Sequence, residues 1–169
     1  LKLSRRMVVP TDASSVSLTT ADSALNDNVE YAGNGDNKFG ATIANGAKWT
    51  GNSVGGVDLT VLLDDGGVWT GYHDDSDTGS ALNLQISNGA EWENTAKDAT
   101  TIDKLVGVAS DKKEGFIRMN TSDLTVKDYS GKTTFIYNHD AKNNILGGTV
   151  TINEAKDGSI VNVRTNSIG

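Results

Sequence analysis

The chain has 169 residues, a formal net charge of −7 and a sequence pI of about 4.7. An acidic surface with no basic stripe repels phosphate backbones, so nucleic-acid binding is excluded as the expected function. With 36% hydrophobic and 6% aromatic residues, 19 glycines, one proline and no cysteine, the composition is lean for a compact core and rules out a disulfide framework.

Gly, Asn, Asp, Ser and Thr supply the positive-φ and side-chain-capped positions of turns, and no window has sustained helical periodicity. This predicts an all-β chain. No apolar run approaches the ~20 residues that span a bilayer as a helix, and no signal peptide is legible.

Residues 1–37 are poorly patterned. Val16 and Leu18 alternate, but Asn26, Asn28, Gly33, Asn34, Gly35 and Asp36 look like turns or loose coil. The basic knot Lys2, Arg5, Arg6 is expected to be a loose chain end.

From Phe39 the pattern sharpens. Strand-like alternation marks Phe39/Ala41/Ile43, Val57/Leu59/Val61/Leu63, Leu82/Leu84/Ile86, Leu124/Val126, Val150/Ile152 and Val161/Val163, the signature of strands with one buried face.

Three of these strands run into the same short segment: ANGAKWTG, DDGGVWTG and SNGAEWEN. Together they hold all the tryptophans, with Trp69 20 residues after Trp49 and Trp92 23 residues after Trp69. A repeat of this length is a unit that cannot bury its own apolar face and must stack on its neighbours. Ala47, Gly67 and Ala90 stand two residues before each Trp and share its face, whereas Lys48, Val68 and Glu91 fall on the opposite face. The indoles therefore point inward, over a small residue that makes room for them, and are not a carbohydrate-stacking platform.

A fourth copy, YSGKTTF, places Thr133 and Phe135 inside and Lys132 and Thr134 outside. Phe135 lies 43 residues after Trp92, which predicts one more coil between them through Val106/Val108 and Phe116–Met119. The economical architecture is a right-handed parallel β-helix with coils of about 20 residues, an internal ladder of Trp49, Trp69 and Trp92, and Phe135 in the same core. The chain divides into the irregular stretch 1–37, the Trp-repeat coils 38–109 and the C-terminal coils 110–169.

The succession of Asn/Asp-Gly-x-x-Trp turns resembles the passenger domains of bacterial autotransporters, the pertactin-like parallel β-helices. LTVKDYSGKTTFIYNHD (Leu124–Asp140) is similar to the strand-plus-Ser-Gly block near a passenger's C-terminal end, and GGTVTINEAKDGSIVNVRT (Gly147–Thr165) resembles the region that follows it. The likeness covers roughly residues 40–169. It implies export through the inner membrane, passage through an outer-membrane β-barrel translocator, and display at the surface of a Gram-negative-type cell. It also implies that 110–169 is the stable folding core. No barrel pattern of alternating ten-residue segments is present in the chain.

Several motifs suggest chemistry. GNSVG (Gly51–Gly55) has the letters of a hydrolase nucleophile elbow around Ser53, but that elbow needs a helix after the turn and none is expected. YSGKTT ends like a phosphate-binding loop, yet the Gly required five residues before Gly131 is Val126.

HDDSDTGS (His73–Ser80) is the densest polar cluster. Asp74, Asp75 and Asp77, near Gly79, are candidate Ca²⁺ ligands, although the twelve-residue calcium-loop pattern and its distal Glu are missing. Glycoside cleavage needs two acids held apart across a cleft, which adjacency in one loop does not supply. His73 and His139 are too isolated for a zinc site and are expected at the surface. Asn120-Thr121-Ser122 is a glycosylation sequon, without meaning in a bacterial protein.

No catalytic residue and no cofactor is expected. The function implied is a surface-displayed, non-catalytic passenger fragment in adhesion, aggregation or biofilm formation, binding a host-cell or bacterial surface ligand or associating with itself. Outward rows of Lys, Glu, Thr and Asn and the loop 72–80 are the expected contact surfaces. A β-helical polysaccharide-degrading enzyme with carboxylates from 64–77 is the first alternative, and a spacer or folding module the second.

Overall fold

A computed structural model describes the chain except residues 1, 4–6, 10–13, 32, 34, 35, 76–78, 140, 143, 168 and 169. It contains strands and no helix among the described residues, stacked in parallel as a β-solenoid of about six turns. Each turn contributes a strand to two long sheets. The first, the leucine sheet, runs through Ser14–Leu18, Lys38–Ile43, Asp58–Leu63, Leu82–Ile86, Thr100–Val106, Leu124–Ser130 and Val150–Ala155. The second, the tryptophan sheet, includes Ala24–Leu25, Lys48–Thr50, Val68–Gly71, Glu91–Asn94, Phe116–Arg118, Lys132–His139 and Ile160–Ser167. A third sheet is short: Met7–Val9, Val29–Tyr31 and Ser53–Val54.

The register makes one column of buried side chains down the tryptophan sheet, Leu25, Trp49, Trp69, Trp92, Ile117 and Phe135; Val163 continues the register but is exposed, as is Val161, so the last alternating pair does not form the half-buried strand expected of it. The expected intermediate coil is thus Phe116–Arg118, with Ile117 between Trp92 and Phe135. Spacing along the chain is ~24 residues rather than about 20. Only the step from Trp49 to Trp69 is that short among the Trp-bearing coils, because excursions such as 72–81 and 107–115 lengthen other corners.

The indoles stack face to face. Trp49 and Trp69 have ring centroids 4.9 Å apart and planes 6° apart; Trp69 and Trp92 are at 5.0 Å and 13°. All three are buried, as are Ala47, Gly67, Ala90 and Phe135. Such a pair adds about 0.5–1.5 kcal/mol beyond the area it buries.

Each repeat begins with a tight corner in which two successive residues have positive φ: Asn45 and Gly46, Asp65 and Gly66, Asn88 and Gly89. The amide of the fourth turn residue closes on the carbonyl of the first, as in Ala47 to Ala44 at 3.1 Å and Gly67 to Asp64 at 2.9 Å. Two positive φ angles in one turn explain the Asn/Asp-Gly dipeptide, since these residues reach that region at least cost. The corners also stack, with the amide of Gly46 bonded to the carbonyl of Asp65 and that of Gly66 to Asn88.

The irregular N-terminal stretch joins the same sheets: Ser14–Leu18 pairs with Lys38–Ile43 and Ala24–Leu25 with Lys48–Thr50. Its core positions include Leu18, Leu25 and Val29, too widely spaced to make a visible pattern.

At the other end, Thr133 and Phe135 point inward as expected, but the outward-facing Thr134 and Ile136 are buried too. The guanidinium of Arg164 lies 5.0 Å from the ring centroid of Phe116, two coils away. Its side chain bridges the intervening coil and covers that stretch of the outer face, adding a cation–π contact to the packing of its aliphatic stem.

Candidate binding clefts

The short third sheet determines where the molecule is concave. It continues past Ser53–Val54 by a single parallel bridge from Ser53 to His73, and beyond that this side of the solenoid is built from loops. Ser53 and His73 are therefore stacked in register on adjacent coils. Ser53 Oγ lies 2.6 Å from His73 Nδ1, and His73 Nε2 lies 3.0 Å from the Ser80 carbonyl. A carbonyl oxygen only accepts, so Nε2–H donates to Ser80 and Nδ1 accepts from the Ser53 hydroxyl. Ser80 Oγ also lies 3.2 Å from Nε2.

This pairing of Ser53 with His73 was not legible in the sequence, although both follow a Trp segment at the same place. Both are buried, at 0% and 3% exposure, which corrects the expectation of a surface His73. The arrangement holds two members of a nucleophilic triad in contact, but the third partner is a backbone carbonyl rather than a carboxylate. With Ser53 sealed from solvent, it bolts the loop 73–80 to the coil before it.

Outside that bolt lies a cleft of about 300 Å³ between 72–75 and 95–100. Tyr72, Asp74, Asp75, Lys97, Asp98 and Thr100 line it, together with His73. Asp74 and Asp75, candidates from the sequence, are thus brought to one wall, while Asp77 lies outside the described residues. Among the described residues no three His, Cys, Asp or Glu side chains converge as a metal site would require. Tyr72, Lys97 and Asp98 escaped the sequence reading because they become neighbours only when one coil is laid on the next.

A second groove, of about 370 Å³, runs across the outer face of the leucine sheet. Ser15, Gly40 and Thr60 are register partners on three successive strands, and Thr60 pairs with Asn83 on the fourth. All four line the groove, with Lys38 and Asp58 beside them. Gly40 is its floor: a Cβ placed there meets nothing nearer than Ser15 Cβ at 4.0 Å. Asp58 Oδ1 accepts from the Ala81 amide at 2.8 Å, fixing that carboxylate at the edge.

The remaining motifs are structural. Lys132 Nζ donates to the Ser110 carbonyl at 2.9 Å, and Gly131 takes φ 80°, so YSGKTT is a stacked corner. Asn120 Oδ1 accepts from the Ser122 amide and hydroxyl, and its Nδ2 donates to Ala96. His139 is half-buried and pairs with Ile145 across an antiparallel bridge to Ile145–Leu146.

No protein-family model, curated protein or solved structure matches this chain. The parallel solenoid itself agrees with the β-helical passenger resemblance at the level of fold.

Proposed function

We propose that the chain is part of a non-catalytic, surface-displayed passenger whose solenoid holds cells to one another or to a host surface. The observation that carries this reading is the division of side chains. All three tryptophans, Phe39, Phe135 and most of the described aliphatic residues lie in the core, while the concave outer surfaces present mainly hydroxyl, amide and charged groups on a stacked scaffold. Rigid arrays of this kind suit recognition by many weak polar contacts along an extended surface. The sealed Ser53–His73 pair supports a role without turnover, since this hydroxyl beside an imidazole lies out of reach of substrate.

In this reading the full protein reaches the cell surface through an outer-membrane barrel, and the ligand is a component of a bacterial or host surface. Displaying the chain on a non-aggregating Gram-negative host tests it. Sedimentation of cells, or their adherence to a surface, is expected with the chain and not with a passenger lacking residues 38–109. Equal sedimentation of both strains rejects the proposal.

A further inference from the structure

Gly40 stands in the interior of Lys38–Ile43, between Ser14–Leu18 and Asp58–Leu63, and nothing in the fold requires a glycine there. Every other described glycine either takes a positive φ or would drive a Cβ into a neighbouring backbone or side chain. Gly40 does neither: its φ is not positive, and an added Cβ meets only Ser15 Cβ, at 4.0 Å. A glycine in mid-strand weakens the strand, and where the chain itself has no need of one it marks close approach by another molecule.

Resting on the surface-recognition reading above, we propose that the groove over Gly40 binds one neutral sugar ring of a surface glycan. Three features select that ligand. The first is shape. Ser15 and Thr60 flank Gly40 in register, two coil spacings apart, which leaves a gap of about 10 Å over the glycine, wide enough for one ring with its hydroxyl groups.

The second is the floor. The strand of Gly40 is paired on both sides, so its backbone is committed to the sheet and no peptide strand can add there. What the floor presents is the glycine Cα, a surface for the C–H face of a ring. The third is the rim. The hydroxyls of Ser15 and Thr60 and the amide of Asn83 each donate and accept, as sugar hydroxyls do. Lys38 and Asp58 are register partners on adjacent strands, so their opposite charges stand side by side at the groove. A rim without net charge favours a neutral sugar over a uronate or an amino sugar.

Amide NMR shifts of the isotope-labelled chain, titrated with glucose, galactose, mannose and N-acetylglucosamine, test the proposal; glucuronate and glucosamine are the charged controls. At least one neutral sugar is expected to shift the Gly40, Thr60 and Asn83 amides saturably, at least tenfold more tightly than either control. Gly40→Val fills the floor and is expected to weaken that sugar at least tenfold while melting about 2–4 °C above the parent, because the strand gains a β-branched residue. Gly40→Ala, whose Cβ has room, is expected to lose affinity without melting lower, and Asn83→Ala to lose affinity through the rim.

No saturable shift with any neutral sugar, equal binding of a charged control, or undiminished binding by Gly40→Val overturns the site. So does a Gly40→Ala that melts below the parent, since the strand itself would then need the glycine. Adhesion that requires residues 38–109 but is unchanged by Gly40→Val defeats the site alone. Sugar binding without adhesion defeats the surface role and leaves the site standing.

Discussion

The indole Nε1–H of Trp69 donates to the carbonyl of Gly51 at 2.9 Å, and Gly51 stands two residues past Trp49 in the preceding coil. The relation repeats: Trp49 donates to Asp27 at 2.9 Å and Trp92 to Gly71 at 3.0 Å. Each coil thus leaves one carbonyl for the next coil's Trp, and the indole satisfies its own buried donor while stacking.

The glycine after the Trp is required by this bond. A Cβ at Gly71 falls 1.8 Å from the Gly51 carbonyl oxygen and 2.8 Å from Trp69 Nε1, both parts of the ladder. Gly71→Ala is therefore expected to lower stability by about 3 kcal/mol, as overpacking against backbone does. Trp69→Phe, which keeps an aromatic ring and leaves the Gly51 carbonyl without its donor, is expected to cost about 1–3 kcal/mol. Urea unfolding of both variants measures the order, and a neutral Gly71→Ala contradicts the account.

At the corners, Asp65 holds φ 42°. Asp65→Gly is expected to be close to neutral or slightly stabilising, and Asp65→Val to cost about 1–2 kcal/mol, because a β-branched side chain resists the left-handed region. The midpoint of thermal unfolding distinguishes them. Equal melting of the two variants contradicts a backbone origin for the Asn/Asp-Gly preference.

Ser53 and His73 give a third expectation. Ser53→Ala removes the donor to a buried Nδ1 and is expected to destabilise by about 1–3 kcal/mol. The loop after His73 depends on that bond, so amide exchange at Asp74 and Asp75 should accelerate relative to exchange in the Trp ladder. Unchanged exchange at those amides argues that the bolt does not restrain the loop.

Tyr129 makes stability depend on alkaline pH. Its phenol is buried and donates to the Ile160 carbonyl, and burial pushes its pKa above the ordinary value of 10.0. Burial, with Asp123 nearby, raises Tyr137 in the same direction. The folded state then retains these protons to higher pH than the unfolded chain does. The stabilisation is complete below about pH 10 and is lost as pH rises through the folded-state values. Unfolding free energy measured from pH 8 to 11 should fall above pH 10, and Tyr129→Phe should flatten the fall. An unchanged slope in that variant excludes Tyr129 as its source.

Much of the core was legible because strand parity is a strict rule: Ala47 with Trp49, Gly67 with Trp69 and Ala90 with Trp92 could share only one face. The intermediate coil was legible as a gap of suitable length, later filled by Ile117. The N-terminal coils were not, since Leu18, Leu25 and Val29 are spread among polar residues whose placement follows from pairing with Lys38–Ile43 and later strands. The burial of Ile136 also escaped parity: its register partners are Arg118 on the coil before and Arg164 on the next, and the Arg164 guanidinium reaches back to the Phe116 ring.

By itself, then, the amino-acid order determined the local elements: alternating strands, Asn/Asp-Gly corners and an inward Trp at each repeat. These depend on φ preferences and on the twofold alternation of side chains, which act within a few residues. Only the tertiary structure decided which carbonyl each indole meets, that Ser53 is locked to His73, and that Tyr72 faces Lys97 and Asp98 across a cleft. Those contacts join residues about a coil apart, so they depend on the exact length of each corner. The lengths vary from turn to turn, and only stacking under the hydrophobic drive to bury the Trp column brings the rims of successive coils into register.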